Sequence, residues 1–296
     1  NGKGKPLPIT CHPSMCLVQE SHVRFVILLQ FWNEMLPRHF TNNTIPAKAA
    51  ICTAIMHLQC DKFWNDEGPA PGLPAAWMHS TEGSTGKSRC LQMINALLGF
   101  VDNSALMQGS TVTRTSLFGR LSKQSCMSLT IDEFTTMAHR DHETSTKIKD
   151  ATHLCFDGNE RVVMATQYSL GSVKPRTSYI ATSNVIPNQD DTPFMQRVLF
   201  IPFKAREAFG VGVDVGEINQ EWSKMVQLFS CLLVDVDAFL VDGKLDNDAL
   251  NDCTAFTNAI VDSNVQRHAN MWGYLLYYML LMWRVSYTSL DEFKLA

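Results

Sequence analysis

"HSTEGSTGKSRC", residues 79–90, decides how the rest of the chain is read. Its centre, Gly86-Lys87-Ser88, closes the pattern G-x-x-x-x-G-K-[ST]. In that pattern glycines let backbone amides curl around phosphate oxygens, the lysine reaches the β/γ-phosphates and the hydroxyl serves Mg2+. The pattern's first glycine falls on Thr81, so the phosphate chemistry rests on Gly83, Ser84, Thr85, Gly86, Lys87 and Ser88. A surface turn capped by serine or threonine is the competing reading of so short a triplet. Both readings stay open on this segment alone; its flanks are "NDEGPAPGLPAAW" (65–77), which packs five Gly or Pro ahead of "AAWMH", a candidate strand, and "KSRCLQMINALLGF" (87–100), which has helical periodicity ending at Gly99. Strand, glycine loop and helix, in that order, are the context a nucleotide loop requires.

Outward from the loop, "ALMQGS" (105–110) predicts a second short strand and residues 113–124 a helix. "CMSLTIDEF" (126–134) is then an apolar run ending in Asp132 and Glu133. A strand-end aspartate can hold Mg2+ and an adjacent glutamate can orient and deprotonate an attacking water, although a strand with a merely polar end reads the same way. A helix over 144–156, a hairpin over 161–176 and two strands, "TSYIATSN" (177–184) and "RVLFIPF" (197–203), follow. Asn184 ends the first of these strands, where it can position water or touch a γ-phosphate or simply open the next turn. Arg197 enters the second, and an arginine at the head of an apolar strand needs either an intrachain salt bridge or an anion across an interface.

Strands alternating with helices predict an α/β fold with a mostly parallel sheet over about 72–206. Helical periodicity precedes it, in "VRFVILLQFWNEML" (23–36) and again at about 45–60 after "TNNTIPA", and dominates after Glu217. The expected organisation is therefore an N-terminal helical segment (1–70), a nucleotide-binding core (71–210) and a C-terminal helical domain (211–296).

Four ordered blocks over 76–206 resemble the superfamily 3 helicases, AAA+-like P-loop NTPases of viral and mobile-element replication. They are "STEGSTGKS" (80–88), "LTIDEF" (129–134), "IKDATHLCFDGNERVVMATQYS" (148–169), and "PRTSYIATSN" (175–184) followed by "FMQRVLFIPF" (194–203). The third block is the most family-specific. The resemblance implies an ATPase with Lys87 and Ser88 on phosphate and Mg2+, and Asp132 and Glu133 on metal and water. It further implies Asn184 as sensor, Arg197 as the finger that completes a neighbour's ATP site, and a ring, expected to be a hexamer, that draws single-stranded DNA through its centre in DNA replication. An ATP-dependent oligomeric switch that binds replication or transposition partners without unwinding is the alternative. Relatives carry a basic residue at the hairpin tip, whereas Ala165, Thr166, Gln167 and Tyr168 are uncharged. Thr166, Gln167, Tyr168 and the returning Lys174 remain the candidate DNA contacts, with Arg176 beside them. Relatives also place a basic residue where this chain has His153, with Lys147 and Lys149 on the same helix.

A net charge of -4 with pI near 6.1 gives no broad basic field, so any nucleic-acid contact must be a local channel. Nine scattered cysteines, odd in number and without a C-x-x-C pair, predict reduced thiols in a cytoplasmic or nuclear setting. The apolar run 271–283 falls short of the roughly 20 residues a membrane span needs and reads as a buried helix. His139 and His142 read as a solvated turn, and Cys11, His12 and Cys16 lack the complementary pair a zinc site needs. The opening "NGKGKPLPIT" carries neither an initiator Met nor an apolar leader, from which a piece of a longer chain is expected.

Overall fold

The strand that leads into the glycine loop, Ala75–His79 (β1), is apolar at successive positions and buried on both faces. That is the signature of a strand inside a parallel sheet covered by helices on either side. The computed structural model describes residues 29–64, 72–100, 105–124, 126–134, 142–158, 161–166, 169–186, 190–207, 216, 219–222, 246–260 and 266–287. Five strands form a wholly parallel sheet in the order β2-β3-β6-β1-β7. The other four are Leu106–Gln108 (β2), Leu129–Asp132 (β3), Tyr179–Ser183 (β6) and Val198–Pro202 (β7). Arg161–Thr166 (β4) and Ser169–Val173 (β5) pair antiparallel as a separate hairpin, as the sequence predicts, with a register shift between Met164 and Thr166.

The period-two alternation of β1 sorts its side chains between two cores. Ala76 and Met78, with Ile180, Leu199 and Ile201, face one apolar cluster, while Ala75 and Trp77, with Leu129, Ile131, Tyr179, Ala181 and Val198, face another. Helices Arg114–Lys123 (α5) and His142–Asp157 (α6) cover the second face with Leu117, Phe118, Leu121, Ile148, Ala151 and Leu154. Trp77 is its centre, stacked on Phe134 at 5.3 Å and meeting the edges of Tyr179 and Phe194 at 6.1 Å each.

The first face is covered by helices from three parts of the chain: Thr44–Leu58 (α2), Lys87–Leu97 (α4) and Gln266–Tyr287 (α9). A π-helical turn, Phe31–Met35, and Leu36–Phe40 (α1) lead into α2, and Thr41 breaks the run with a left-handed φ of 47°. Pro37 comes just after the π-helical turn and the helical run continues past it, so the break falls at Thr41 and not at the proline. Cys60–Phe63 (α3) and Thr192–Met195 (α7) are short connectors. Asn247–Ile260 (α8) packs antiparallel on α9, with Gly273 fitting against Thr254 and the Thr257 hydroxyl donating to Ala269 O at 2.8 Å. The apolar run 271–283 lies within α9, with Met271, Tyr274, Leu275, Tyr277, Tyr278 and Met282 buried, although Leu280 and Trp283 are 46% and 57% exposed. Tyr278 donates to Gln59 Oε1 at 2.7 Å, joining α9 to the end of α2. No helix among the described residues is long and apolar enough to cross a membrane.

His57, on α2, fixes the entries to two strands. Its Nε2 lies 2.9 Å from Pro74 O just before β1, and its Nδ1 lies 2.9 Å from Ser128 Oγ just before β3. A carbonyl can only accept, so Nε2 carries the proton and Nδ1 accepts from the serine in a neutral imidazole. Burial outweighs the Pro74 bond and lowers the His57 pKa from 6.5 to about 4. The unfolded chain therefore binds a proton between these values that the folded chain refuses. Stability from this group is full above pH about 6.5 and is lost as pH falls through 4, by roughly 3 kcal/mol at about 1.4 kcal/mol per unit. Thermal melts between pH 7 and pH 4 should show Tm falling with pH, and His57→Gln, though less stable at pH 7, should show a flatter dependence.

Candidate functional site

All five parallel strands point their C-terminal ends the same way, and a cleft of about 480 Å3 opens there. It is lined by the loop after β1 (Gly83 to Gly86), the first turn of α4 (Lys87, Ser88, Arg89), Glu133 after β3, and Thr182 to Val185 at the end of β6. Parallel registration does the assembling. His79 lies opposite Ser183 and Ile131 opposite Ala181, which brings Asp132 level with Thr182.

The loop turns on two left-handed residues, Ser84 (φ 55°) and Gly86 (φ 92°). Gly86 is the N-cap of α4 and has no side chain to satisfy the helix's first amides, so the exposed N–H groups and the positive end of the dipole face the cleft. Asn43, just ahead of α2, anchors the loop from outside by donating to Thr85 O at 3.1 Å and Lys204 O at 2.9 Å while accepting from Lys204 N.

Lys87 is 8% exposed, yet its ammonium has neutral partners: Asn184 Oδ1 at 3.0 Å and Ser80 O at 3.4 Å. Desolvation lowers its pKa and the nearby Asp132 carboxylate opposes that shift. Desolvation, with Lys87 behind it, likewise lowers His79. Ser88 Oγ donates to Asp132 Oδ1 at 3.0 Å, and Thr182 Oγ1 donates to the same oxygen. Thr182 also accepts the Glu133 amide at 2.9 Å, which fixes the turn that carries Glu133 out of the sheet with a left-handed φ of 51°. The Glu133 side chain is exposed at the cleft mouth.

The oxygens present suit a small hard cation. Ser88 Oγ and Asp132 Oδ1 are 3.0 Å apart, matching the roughly 3.0 Å between adjacent ligands of an octahedron with bonds of about 2.1 Å. No group of three or more His, Cys, Asp or Glu gathers as a metal cage among the described residues, so remaining ligands would come from water or a phosphate, the usual pattern for Mg2+.

The structure thus brings Gly83 to Ser88, Asp132, Glu133 and Asn184 together. Arg197 stands elsewhere. Its carbonyl accepts from Ala75 N at the opposite end of β1, about 13 Å from His79 at about 3.3 Å per residue. Its side chain, 15% exposed, donates to Pro193 O at 2.7 Å, lies over the Phe156 ring at 5.5 Å and approaches Asp157 at 3.9 Å. Lys174 is exposed just after β5, and Arg176 is exposed two residues on. Thr166 ends β4, its side chain lying outside the described residues, as do Gln167, Tyr168, His139, Cys11, His12 and Cys16.

Sequence reasoning missed Thr182, Arg89 and Asn43. Thr182 had a readable signal, a hydroxyl two positions before Asn184 at the polar end of the strand "YIATS". Arg89 and Asn43 had none, because their partners are distant in the chain. Arg89 lines the cleft while its guanidinium lies 4.2 Å from the Trp222 ring and donates to Asn219 Oδ1 at 3.3 Å. Beside it, His39 is buried near Trp222 and Glu221, and burial together with Arg89, Arg206 and Arg38 lowers its pKa to about 4.

No family model matches the chain, and no curated protein matches it. Among solved structures, the active helicase SCCmec type IV Cch is similar, with a TM-score of 0.61 at 17% identity over 89% of this chain. The match takes in 48% of the helicase, so this chain spans about half its length. The fold is helicase-like.

Gly109, after β2, packs against the backbone of Glu133 and Phe134. A Cβ there would lie 2.4 Å from Glu133 O and 2.5 Å from Phe134 Cα, whereas a Cβ on Gly83 would meet nothing within 4 Å. Gly109→Ala should therefore destabilise the chain by about 1–3 kcal/mol, as backbone overpacking does, and Gly83→Ala should leave the denaturation midpoint of the ligand-free protein nearly unchanged. Urea titrations of the two variants check this directly.

Proposed function

We propose that the chain is the ATP-hydrolysing domain of a superfamily 3-type DNA helicase or translocase acting in DNA replication. The observation that carries the reading is the buried Lys87 ammonium held by neutral oxygens at the rim of an amide-lined cleft, with Ser88, Asp132 and Thr182 converging beside it. A desolvated cation next to a helix N-terminus is a site for an anion, and ATP supplies one. The helicase-like fold supports the same reading.

The amides of Gly83 to Ser88 would cradle the phosphates, and Lys87 would exchange Asn184 and Ser80 for β/γ oxygens. Ser88 and Asp132 would hold Mg2+, which neutralises charge on the transferring phosphoryl group when bound. Glu133 would take the proton of the attacking water as the γ-phosphorus separates from the bridging oxygen of ADP, and Asn184 would orient that water. Hydrolysis then depends mainly on positioning and electrostatics. Arg197 lies a strand length from its own cleft and is held within the chain by Pro193 O and Asp157, so its role as a finger would require it to leave these partners for a neighbour's ATP; the ring with ATP between subunits, a hexamer, rests on the resemblance. The hairpin β4–β5 and the exposed Lys174 are the proposed contacts for single-stranded DNA.

ATP turnover per subunit should rise with protein concentration and with added single-stranded DNA. Lys87→Ala should abolish turnover, and Arg197→Ala should lower kcat by about 10^3-fold or more, as loss of a trans arginine does. An equimolar mixture of the two variants should regain activity, because some interfaces then pair an intact Lys87 with an intact Arg197. Absence of turnover in the unaltered protein, or no recovery on mixing, overturns the reading. Turnover without strand separation favours the oligomeric switch that recruits replication or transposition partners.

A further inference from the structure

The mechanism uses none of the cysteines. Six lie among the described residues, all as thiols. Cys52, Cys90 and Cys155 are wholly buried, and burial pushes their thiols far up, which keeps them protonated and unreactive.

Cys60 and Cys126 differ. Their sulfurs lie 3.4 Å apart, although the residues are 66 positions apart in sequence. Cys60 heads α3 and is buried, whereas Cys126 is partly exposed on the turn into β3, with a left-handed φ of 59°. Both are fixed by one carbonyl: Arg176 O accepts the Cys60 thiol at 3.3 Å and the Cys126 amide at 2.8 Å. Arg176 N in turn donates to Leu121 O at 2.9 Å. Three segments therefore meet at the two sulfurs: the end of the N-terminal helices, the lead into β3, and the chain leaving the hairpin. A disulfide bond of about 2.05 Å needs the sulfurs to close by only about 1.4 Å.

We propose that Cys60 and Cys126 form an oxidation site, closed to a disulfide by a peroxide and reopened by a dithiol. Cys126, the exposed partner, reacts first. Its thiolate attacks a peroxide oxygen, the O–O bond breaks, and sulfenic acid forms with release of hydroxide, which leaves as water. The Cys60 thiolate then attacks the Cys126 sulfur and displaces the hydroxyl as a second water. The two thiols lose two electrons and two protons, and one peroxide becomes two waters. The bond closes a loop that contains β1, the glycine loop, α4 and β2, tying the helices ahead of β1 to the lead into β3. It also removes the Cys60 S–H donor from Arg176 and leaves the Cys126 amide in place.

The test uses the full chain, reduced, desalted, titrated with hydrogen peroxide, alkylated and mapped as peptides without reduction. The expected result is one dominant cross-linked peptide joining Cys60 to Cys126, lighter than its parts by two hydrogens and released by dithiothreitol. Oxidation should raise Tm in the unaltered chain and not in Cys126→Ser, and Cys60→Ala should trap Cys126 as sulfenic acid captured by dimedone. Cys126 carried to sulfinic acid without the cross-link overturns the proposal, as do cross-links scattered over other cysteines. The map of the unaltered chain decides this even where a variant fails to fold, and it does not depend on ATP turnover.

Discussion

A lysine ammonium kept out of water with neutral partners is the constraint around which the cleft is built. Lys87 has been desolvated at a cost, and what offsets that cost is the fixed polarity around it: the Asn184 amide oxygen, the Ser80 carbonyl and the Asp132 charge behind them. Each belongs to a different strand end. Holding Lys87 therefore requires β1, β6 and β3 to end level with one another, and the parallel register delivers that. The same register places Thr182 where one hydroxyl serves both Asp132 and the Glu133 amide.

Rigidity at these strand ends comes from segments outside the sheet. Asn43 ties the glycine loop to the chain after β7, and Phe40 is the side chain nearest the missing Cβ of Gly86. His57 holds the opposite ends of β1 and β3 from the same helical layer. A single apolar cluster runs from Phe31 through Met78 and Leu91 to Tyr278, so the helices before and after the sheet share its core.

Local patterns made the strands, the loop and the hairpin legible. "AAWMH" follows a Gly/Pro-rich connection, "LTIDEF" carries two carboxylates at its end, and "RVVMATQYSLGSV" sets the apolar run 162–165 before a polar "TQYS", each a signal carried within a few residues. The proposed phosphate contacts could be named for the same reason, since Gly86, Lys87 and Ser88 are adjacent. Strand order, the Asn43 anchor and the approach of Gly109 to Glu133 were not, because each joins residues tens of positions apart and leaves no periodic trace. Arg197 shows the boundary clearly. Its place at the head of an apolar strand was visible, but that this end of the strand faces away from the cleft is a property of parallel pairing with β1.

The left-handed backbone at Glu133 sets two demands against each other at one position. Glycine or asparagine would adopt that conformation more comfortably, so folding alone would select either of them. The cleft would then lose its carboxylate at the mouth. A chain chosen only for heat resistance should drift toward exchange at 133, and the persistence of glutamate there would mark selection for what happens in the cleft.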